Sequence, residues 1–323
     1  MRTALIIGCS GQDGAYLAQL LLNKGYKVVG TSRDAQTSSF ASLVRLGIRD
    51  RVLMETMSLT DFRSVIQVLN KVAPDEIYNL AGQSSVGLSF QLPVETFESI
   101  GIGCLNLLES LRFLQMPARL YNASSGECFG NTNGQPATEL TPFHPRSPYA
   151  VAKSAAFWQT ANYREAYGLY ACSGILFNHE SPLRPERFVT RKIIRAVVDI
   201  AAGRSSSLSL GNVEIERDWG WAPEFVEAMW RMLQQEKAED FVIATGRSWT
   251  LQEFTAEAFA LVGLDWLNYI VSDPGLLRPT DVLVSRADPT RAAERLGWKA
   301  RMTMPEVVRL MTEAELSYAA SVR

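Results

Sequence analysis

Thr3-Ala4-Leu5-Ile6-Ile7 runs directly into Gly8-Cys9-Ser10-Gly11-Gln12-Asp13-Gly14, and the stretch that follows carries Tyr16, Leu17, Leu20, Leu21 and Leu22. A short unbroken apolar run bounded by glycine reads as a strand buried on both faces, and the spacing after it reads as a helix. Between the two, glycines recur at intervals of three. The first supplies the backbone freedom of a tight strand-to-helix turn. The second lets a ligand reach the backbone, and the third lets helix pack closely on strand. A helix N-terminus set there offers free N–H groups to an anion. A glycine-rich βα turn that binds nothing is the bland alternative, and a lone motif of this kind is weak. Its setting between a clear strand and a clear helix favours a dinucleotide site at Gly8, Ser10, Gly11, Gln12, Asp13 and Gly14.

The alternation continues outward. Further strands are predicted at 27–31, 52–55, 76–78 and 119–121, with helical patterns near 61–71 and 95–114. Buried strands separated by amphipathic helices indicate an α/β fold, a Rossmann-type doubly wound parallel sheet. Residues 131–148, rich in Pro, Thr, Asn and Gly, read as a surface loop, and 205–209 as a polar turn. No repeat of 20–50 residues is found. After residue 178 the alternation weakens, which predicts a smaller α+β substrate lobe. The expected division is 1–178, mainly dinucleotide-binding, and 179–323, mainly that lobe, with some segments returning to the first.

Composition narrows the function. The 323 residues hold 32 Lys plus Arg against 34 Asp plus Glu, a net charge of −2. Without a basic excess to displace counterions, a general nucleic-acid binder is excluded. Apolar residues at 47 % and charged residues at 20 % are the proportions of a soluble globular chain. Four dispersed cysteines and two histidines give no closely spaced ligand pairs, so no metal site is expected. With no leader pattern and no apolar run long enough to span a bilayer, a cytoplasmic protein with reduced thiols and no membrane partner is expected.

The chemistry-bearing residues come next. Asn122-Ala123-Ser124-Ser125-Gly126-Glu127 follows a predicted strand, at the end where open α/β sheets bind ligands. Further on, Tyr149 and Lys153 stand four apart at the start of a helix and so share one face. An ammonium there would lower the phenol from its usual value of about 10 toward a usable base. Alone, such a pair is a common accident. Joined to a dinucleotide turn, it points to proton removal coupled to hydride transfer. At the tip of the second strand, Ser32-Arg33-Asp34 offers no acid at the position that would bind a ribose 2′-OH, and Arg33 suits a 2′-phosphate. NADP is therefore preferred over NAD.

At this point the sequence resembles the extended short-chain dehydrogenase/reductase superfamily, and within it the GDP-mannose 4,6-dehydratases, nearly end to end. The most specific blocks are 11–17, 78–84 and 145–153. Also matched are 162–168, 177–182, 188–192, 210–212, 217–220 and 296–299. The resemblance implies that Ser125 bonds the sugar O4, that Glu127 is a second acid/base group, and that Tyr149 and Lys153 complete the catalytic set. It implies cofactor contacts at Ser58, Leu59, Leu80, Ala81, Gln83, Ser84, His179 and Arg184, besides Arg33, Tyr149 and Lys153. Substrate contacts are implied at Ser85, Asn178, Val189, Lys192, Arg217 and Arg278, the two arginines suiting a diphosphate.

Several positions depart from the family pattern. Gly126 stands for a common serine, Ser58 for an aspartate, Ser85 for a histidine, Asp34 for an arginine and Trp221 for a histidine, while Leu183 and Pro185 change the loop beside the sugar site. The implied activity is conversion of GDP-mannose to GDP-4-keto-6-deoxy-mannose. A GDP-manno-heptose substrate is an alternative, as is a 4-epimerase or reductase, which shares Tyr149 and Lys153 but needs no Glu127. A decarboxylase of UDP-glucuronate and a non-catalytic dinucleotide sensor fit the motifs less well. Apolar Phe157, Trp158 and Tyr163 suggest a helical interface, hence a homodimer or homotetramer.

Overall fold

The computed structural model describes residues 1–321. Its strands, in chain order, are β1 (Thr3–Ile7), β2 (Lys27–Ser32), β3 (Leu53–Thr56), β4 (Glu76–Asn79), β5 (Arg119–Ser125) and β6 (Ala171–Leu176). They are followed by β7 (Asn178–Glu180), β8 (Leu208–Leu210), β9 (Glu216–Trp221), β10 (Phe241–Ile243), β11 (Ser248–Thr250) and β12 (Ile270–Ser272). Seven of these form one parallel sheet in the order β10-β6-β5-β4-β1-β2-β3. The chain leaves β1 in one direction through β2 and β3 and resumes on its other side at β4. The switch point, where such sheets bind ligands, therefore lies at the C-terminal ends of β1 and β4.

Side chains of β1 alternate between two cores. Ala4 and Ile6 join Ala18, Leu21, Phe225 and Met229 on one face, while Leu5 and Ile7 join Val65, Leu69, Leu107 and Leu108 on the other. That double burial is why the strand is apolar from Ala4 to Ile7 and not alternating. The helix Pro148–Tyr167 starts where its chemistry dictates. The Ser147 hydroxyl accepts from the Ala150 N–H at 3.1 Å, and Pro148 occupies the first turn. Gly168, at φ 68°, ends it.

Several local expectations needed correction. The expected strand at 119–121 extends to Ser125, because its pairing with β6 continues through Ser125 opposite Leu176 despite the polar side chains. The helix expected at 95–114 is built as Pro93–Phe97, a wide π-helical turn at Glu98–Ile102, and Gly103–Phe113. The expected polar turn at 205–209 is cut short after 207, since Leu208–Leu210 pairs with β12. The segment 131–148 is anchored by buried Ala137, which bridges to Ala287. Phe157 is not interface surface: it is buried against Phe143, whereas neighbouring Trp158 is 61 % exposed.

The remaining elements cover the C-terminal side of the sheet. Strands β11-β9-β7 form a small sheet, and helices Val189–Ala201, Leu251–Ala260 and Met304–Ser321 surround Ile193, Val197, Trp219, Phe254 and Val307. Buried Arg191 and Glu315 pair at 2.5 Å and tie the last helix to the helix Val189–Ala201. Strand β10 and helix Ala222–Met232, by contrast, belong to the main sheet and its covering layer. Among the described residues, no helix is long and apolar enough to cross a membrane.

Candidate active site

The turn after β1 is shaped by its glycines. Gly8 has φ +89°, and a Cβ there would meet the Leu80 and Ala81 backbone at 3.0 Å. A Cβ on Gly14 would lie 2.4 Å from the Gly8 carbonyl oxygen, whereas one on Gly11 meets only that oxygen, at 3.4 Å. Gly11 is the N-cap of the helix Gln12–Asn23 and makes no side-chain cap bond. No side chain caps the first-turn N–H groups, and Gly11 places none beside them, which fits a dinucleotide diphosphate.

Leu80 and Ala81 bring the end of β4 against this turn. The following loop is held from within. The Gln83 amide donates to the Ser85 carbonyl at 2.8 Å and the Thr96 hydroxyl at 3.2 Å, and its oxygen accepts from the Ser85 N–H. Gln83 is therefore spent on its own loop, and Ser84 and Ser85 face the cleft. At the tip of β2, Asp34 accepts from the Gln36 and Thr37 N–H groups at 2.9 and 3.0 Å. Arg33 beside it is exposed. Ser58 and Leu59 follow β3, with the Ser58 hydroxyl 3.0 Å from that of Thr60 and the Leu59 carbonyl accepting from Asn106.

A cleft of about 770 Å³ opens at these strand ends and brings together Ser125, Glu127, Tyr149 and Lys153. Ser125, the last residue of β5, accepts from the Glu127 N–H at 3.2 Å and so starts the turn that presents Glu127. Gly126 has a structural reason: a Cβ there would sit 3.0 Å from the Phe177 ring. Lys153 donates to the Ala123 carbonyl at 2.7 Å, with its ammonium 5.9 Å from the centre of the Tyr149 ring. The lowering of the phenol expected from this spacing is absent. Burial pushes Tyr149 above its ordinary value and outweighs the Ser125 hydroxyl and the Arg184 charge. Burial likewise lowers Lys153.

Asp13, Leu80, Asn178, His179, Arg184, Val189, Lys192, Arg217 and Arg278 also line the cleft. Gly8, Ser10, Gly11, Gln12, Gly14, Ala81 and Gln83, in the turn and the β4 loop, and Arg33, Ser58 and Leu59, past the ends of β2 and β3, do not line it. Lys192 donates to the Ser209 carbonyl at 2.7 Å. Arg217, 4 % exposed, pairs with Asp281 at 3.1 Å and lies 3.9 Å from Glu127, and Arg278 reaches the same aspartate at 3.4 Å. Asp281 was not anticipated, although its place three residues after Arg278 is a pairing signal. Arg187 and Phe188 were also missed. Arg187 is the middle of three arginines at 184, 187 and 191. Among the described residues, no group of three His, Cys, Asp or Glu side chains could hold a metal ion.

The family described as GDP-mannose 4,6 dehydratase matches residues 5–311. GDP-mannose 4,6 dehydratase 1 of Arabidopsis thaliana is 45 % identical, with 98 % of this chain and 91 % of that protein aligned. GDP-mannose 4,6-dehydratase of Yersinia enterocolitica is 42 % identical, over 99 % of this chain and 95 % of that protein. In fold, the chain superposes on a dTDP-glucose 4,6-dehydratase from Streptomyces venezuelae with TM-score 0.86 at 20 % identity, over 100 % of this chain and 98 % of that one. A match over nearly the whole length, at this identity and on this fold, makes the chain a member of the GDP-mannose 4,6-dehydratase family.

Proposed function

We propose that the protein is an NADP-dependent hydro-lyase that converts GDP-mannose to GDP-4-keto-6-deoxy-mannose. The observation that carries this reading is Glu127, which faces the same cleft as Ser125, Tyr149 and Lys153. A second acid/base group beside a Tyr–Lys pair is what water elimination requires and simple 4-oxidation does not. When bound, NADP supplies the hydride acceptor, a positive charge that favours the Tyr149 phenolate, and the hydride donor of the last step. Ser125 holds the sugar O4, and Tyr149 takes its proton as C4 becomes a ketone. That ketone acidifies C5–H, which Glu127 removes. Glu127 then passes the proton to the C6 hydroxyl, which leaves as water. A proton returned to C5 by Tyr149 leaves the protein as it began. Lys153, tied to the Ala123 carbonyl, keeps a cation beneath the site.

Arg217 and Arg278 suit the substrate diphosphate, with Asp281 holding the pair in place. Exposed Arg33, with Asp34 turned back on its own loop, favours the 2′-phosphate of NADP. Residues 179–323 supply most of the nucleotide-sugar lobe. Four buried free thiols suit a reducing cytoplasm. Exposed Val151 and Trp158 on the helix Pro148–Tyr167, with exposed Phe97 and Phe113 on the Pro93–Phe113 segment that packs against it, suit a homodimer or homotetramer.

The test follows one hydrogen. GDP-mannose carrying deuterium at C4 should give a product that has lost one water and bears the label at C6, without consumption of added NADPH. Glu127→Gln should lower product formation about 10²–10⁴-fold. Label kept at C4 or lost to solvent, or stoichiometric use of NADPH, would overturn the dehydratase reading.

A further inference from the structure

His179 and Asp13 meet at the edge of the cleft in an arrangement that fixes their proton count. The imidazole Nδ1 lies 2.7 Å from the Phe177 carbonyl oxygen, and Nε2 lies 3.0 Å from Asp13 Oδ2. A carbonyl oxygen only accepts, so Nδ1 carries a proton. The Nε2···Oδ2 contact needs a second proton between its atoms, whichever atom holds it. The pair is therefore neutral overall, holding one proton more than a free carboxylate beside a neutral imidazole.

The surroundings keep the ring in this pose. Phe225 stacks on it at 4.5 Å, in space left by Gly220, where a Cβ would strike the Phe225 ring. Gln12 donates to the His179 carbonyl at 3.1 Å and to Asp13 Oδ1 at 3.0 Å. Asp13 stands in the first turn of the helix Gln12–Asn23, beside its N-terminus, and lines the cleft. A bare carboxylate there would repel a diphosphate.

We infer that His179 is a positioning residue whose shared proton cancels the Asp13 charge and so lets the cofactor diphosphate settle on the helix N-terminus. This rests on the cofactor reading above. The charged and titratable groups facing the pair are Glu180 from β7, Arg184 from the turn after it, Lys153 from the helix Pro148–Tyr167 and Tyr121 from β5. Burial opposes a charged imidazole, but Asp13 outweighs it and His179 is raised above its ordinary value. Burial would likewise raise Asp13, yet His179 and its other partners bring it down to about 2. The proton is thus held more firmly than on a free imidazole and is lost as pH rises through the raised value.

The test is the dissociation constant for NADP between pH 7 and pH 9.5, above the second ionisation of the 2′-phosphate at about 6. Wild-type affinity should fall with rising pH, by at most about tenfold per unit. On the alkaline limb, calorimetry in buffers of different ionisation heat should show proton uptake on binding. Asp13→Asn should bind with a flat profile. His179→Gln should bind at least about tenfold more weakly at pH 7, and the double variant should recover to the level of Asp13→Asn. A flat wild-type profile without proton uptake overturns the inference and leaves the cofactor reading standing. A double variant weaker than either single one also overturns it. Failure of wild-type protein to bind NADP or NAD at any pH overturns both.

Discussion

The glycines after β1 are evenly spaced but are there for different reasons, and alanine at Gly14 and at Gly11 should separate those reasons. At Gly14, a Cβ would lie 2.4 Å from the Gly8 carbonyl oxygen, 2.7 Å from the Cys9 Cα and 3.0 Å from the Gly8 carbonyl carbon. Ordinary contact begins at 3.4 Å, so the helix must retreat from the turn by about an ångström. All three atoms are backbone of the turn itself and cannot rotate away. Overpacking of this kind costs about 1–3 kcal/mol, and a rigid backbone contact belongs at the upper end. For a chain of this size that is a fall of several degrees in melting temperature. Gly11→Ala is the contrasting case. Its φ of −76° and ψ of 173° suit any residue, its one contact is at 3.4 Å, and only some N-cap preference is lost. Its stability cost should stay under about 1 kcal/mol. Yet its methyl group would enter the space in front of the helix N-terminus, so the dissociation constant for NADP should rise at least about tenfold. The assay is thermal unfolding of nucleotide-free protein alongside dinucleotide titration. Gly14→Ala as stable as wild type would refute the close-approach argument. Gly11→Ala with unchanged affinity would refute the placement of the diphosphate.

Tyr149→Phe should abolish turnover while leaving the melting temperature and substrate affinity near wild type, checked by product assay and calorimetric titration. Arg33→Ala should weaken NADP binding by about 1–3 kcal/mol and leave NAD binding nearly unchanged, since a charge-assisted contact to the 2′-phosphate alone is removed. Equal losses for both would send the 2′-phosphate elsewhere. Glu315→Leu should cost about 3–5 kcal/mol in urea denaturation, because it strands Arg191 at 7 % exposure, and adding Arg191→Met should recover much of that loss. Trp158→Asp should shift the sedimentation of an oligomer toward monomer without altering the unfolding midpoint of the isolated chain, since the ring is 61 % exposed.

What could be read from the residues, and what could not, divides by the range of the interactions involved. Strand β1 and the helix after it were legible because burial on two faces writes an unbroken apolar run into four consecutive residues, Ala4 to Ile7. Tyr149 and Lys153 were legible as a pair because helical geometry brings residues four apart together. The extent of β5 was not, since its polar end is held in the sheet by β6, whose pairing residues lie some fifty positions away. Strand β10 is three residues long and joins β6 from still farther along the chain, too short for periodicity to register. The same limit governs charge. Spacing alone predicted a lowered Tyr149 phenol, but burial sets its direction, and burial is a property of the assembled cleft. Asp281 shows both sides: its step of three from Arg278 was visible, while its contact with Arg217 spans the small lobe.

Departures from the family pattern follow the same rule, and Gly126 is the instructive one. On the sequence it stands only as a serine lost next to Glu127. In the fold, a Cβ at that position would press on the Phe177 ring at 3.0–3.1 Å, and Phe177 is buried and stacked on Phe129. Glycine at 126 and phenylalanine at 177 are thus two halves of one packing solution at adjoining strand ends. The neighbouring Ser125 hydroxyl still accepts from the Glu127 N–H, so the turn that aims the carboxylate into the cleft does not depend on a side chain at 126. The substitution changes how the floor of the site is packed, and the geometry that presents Glu127 is preserved by the residue before it.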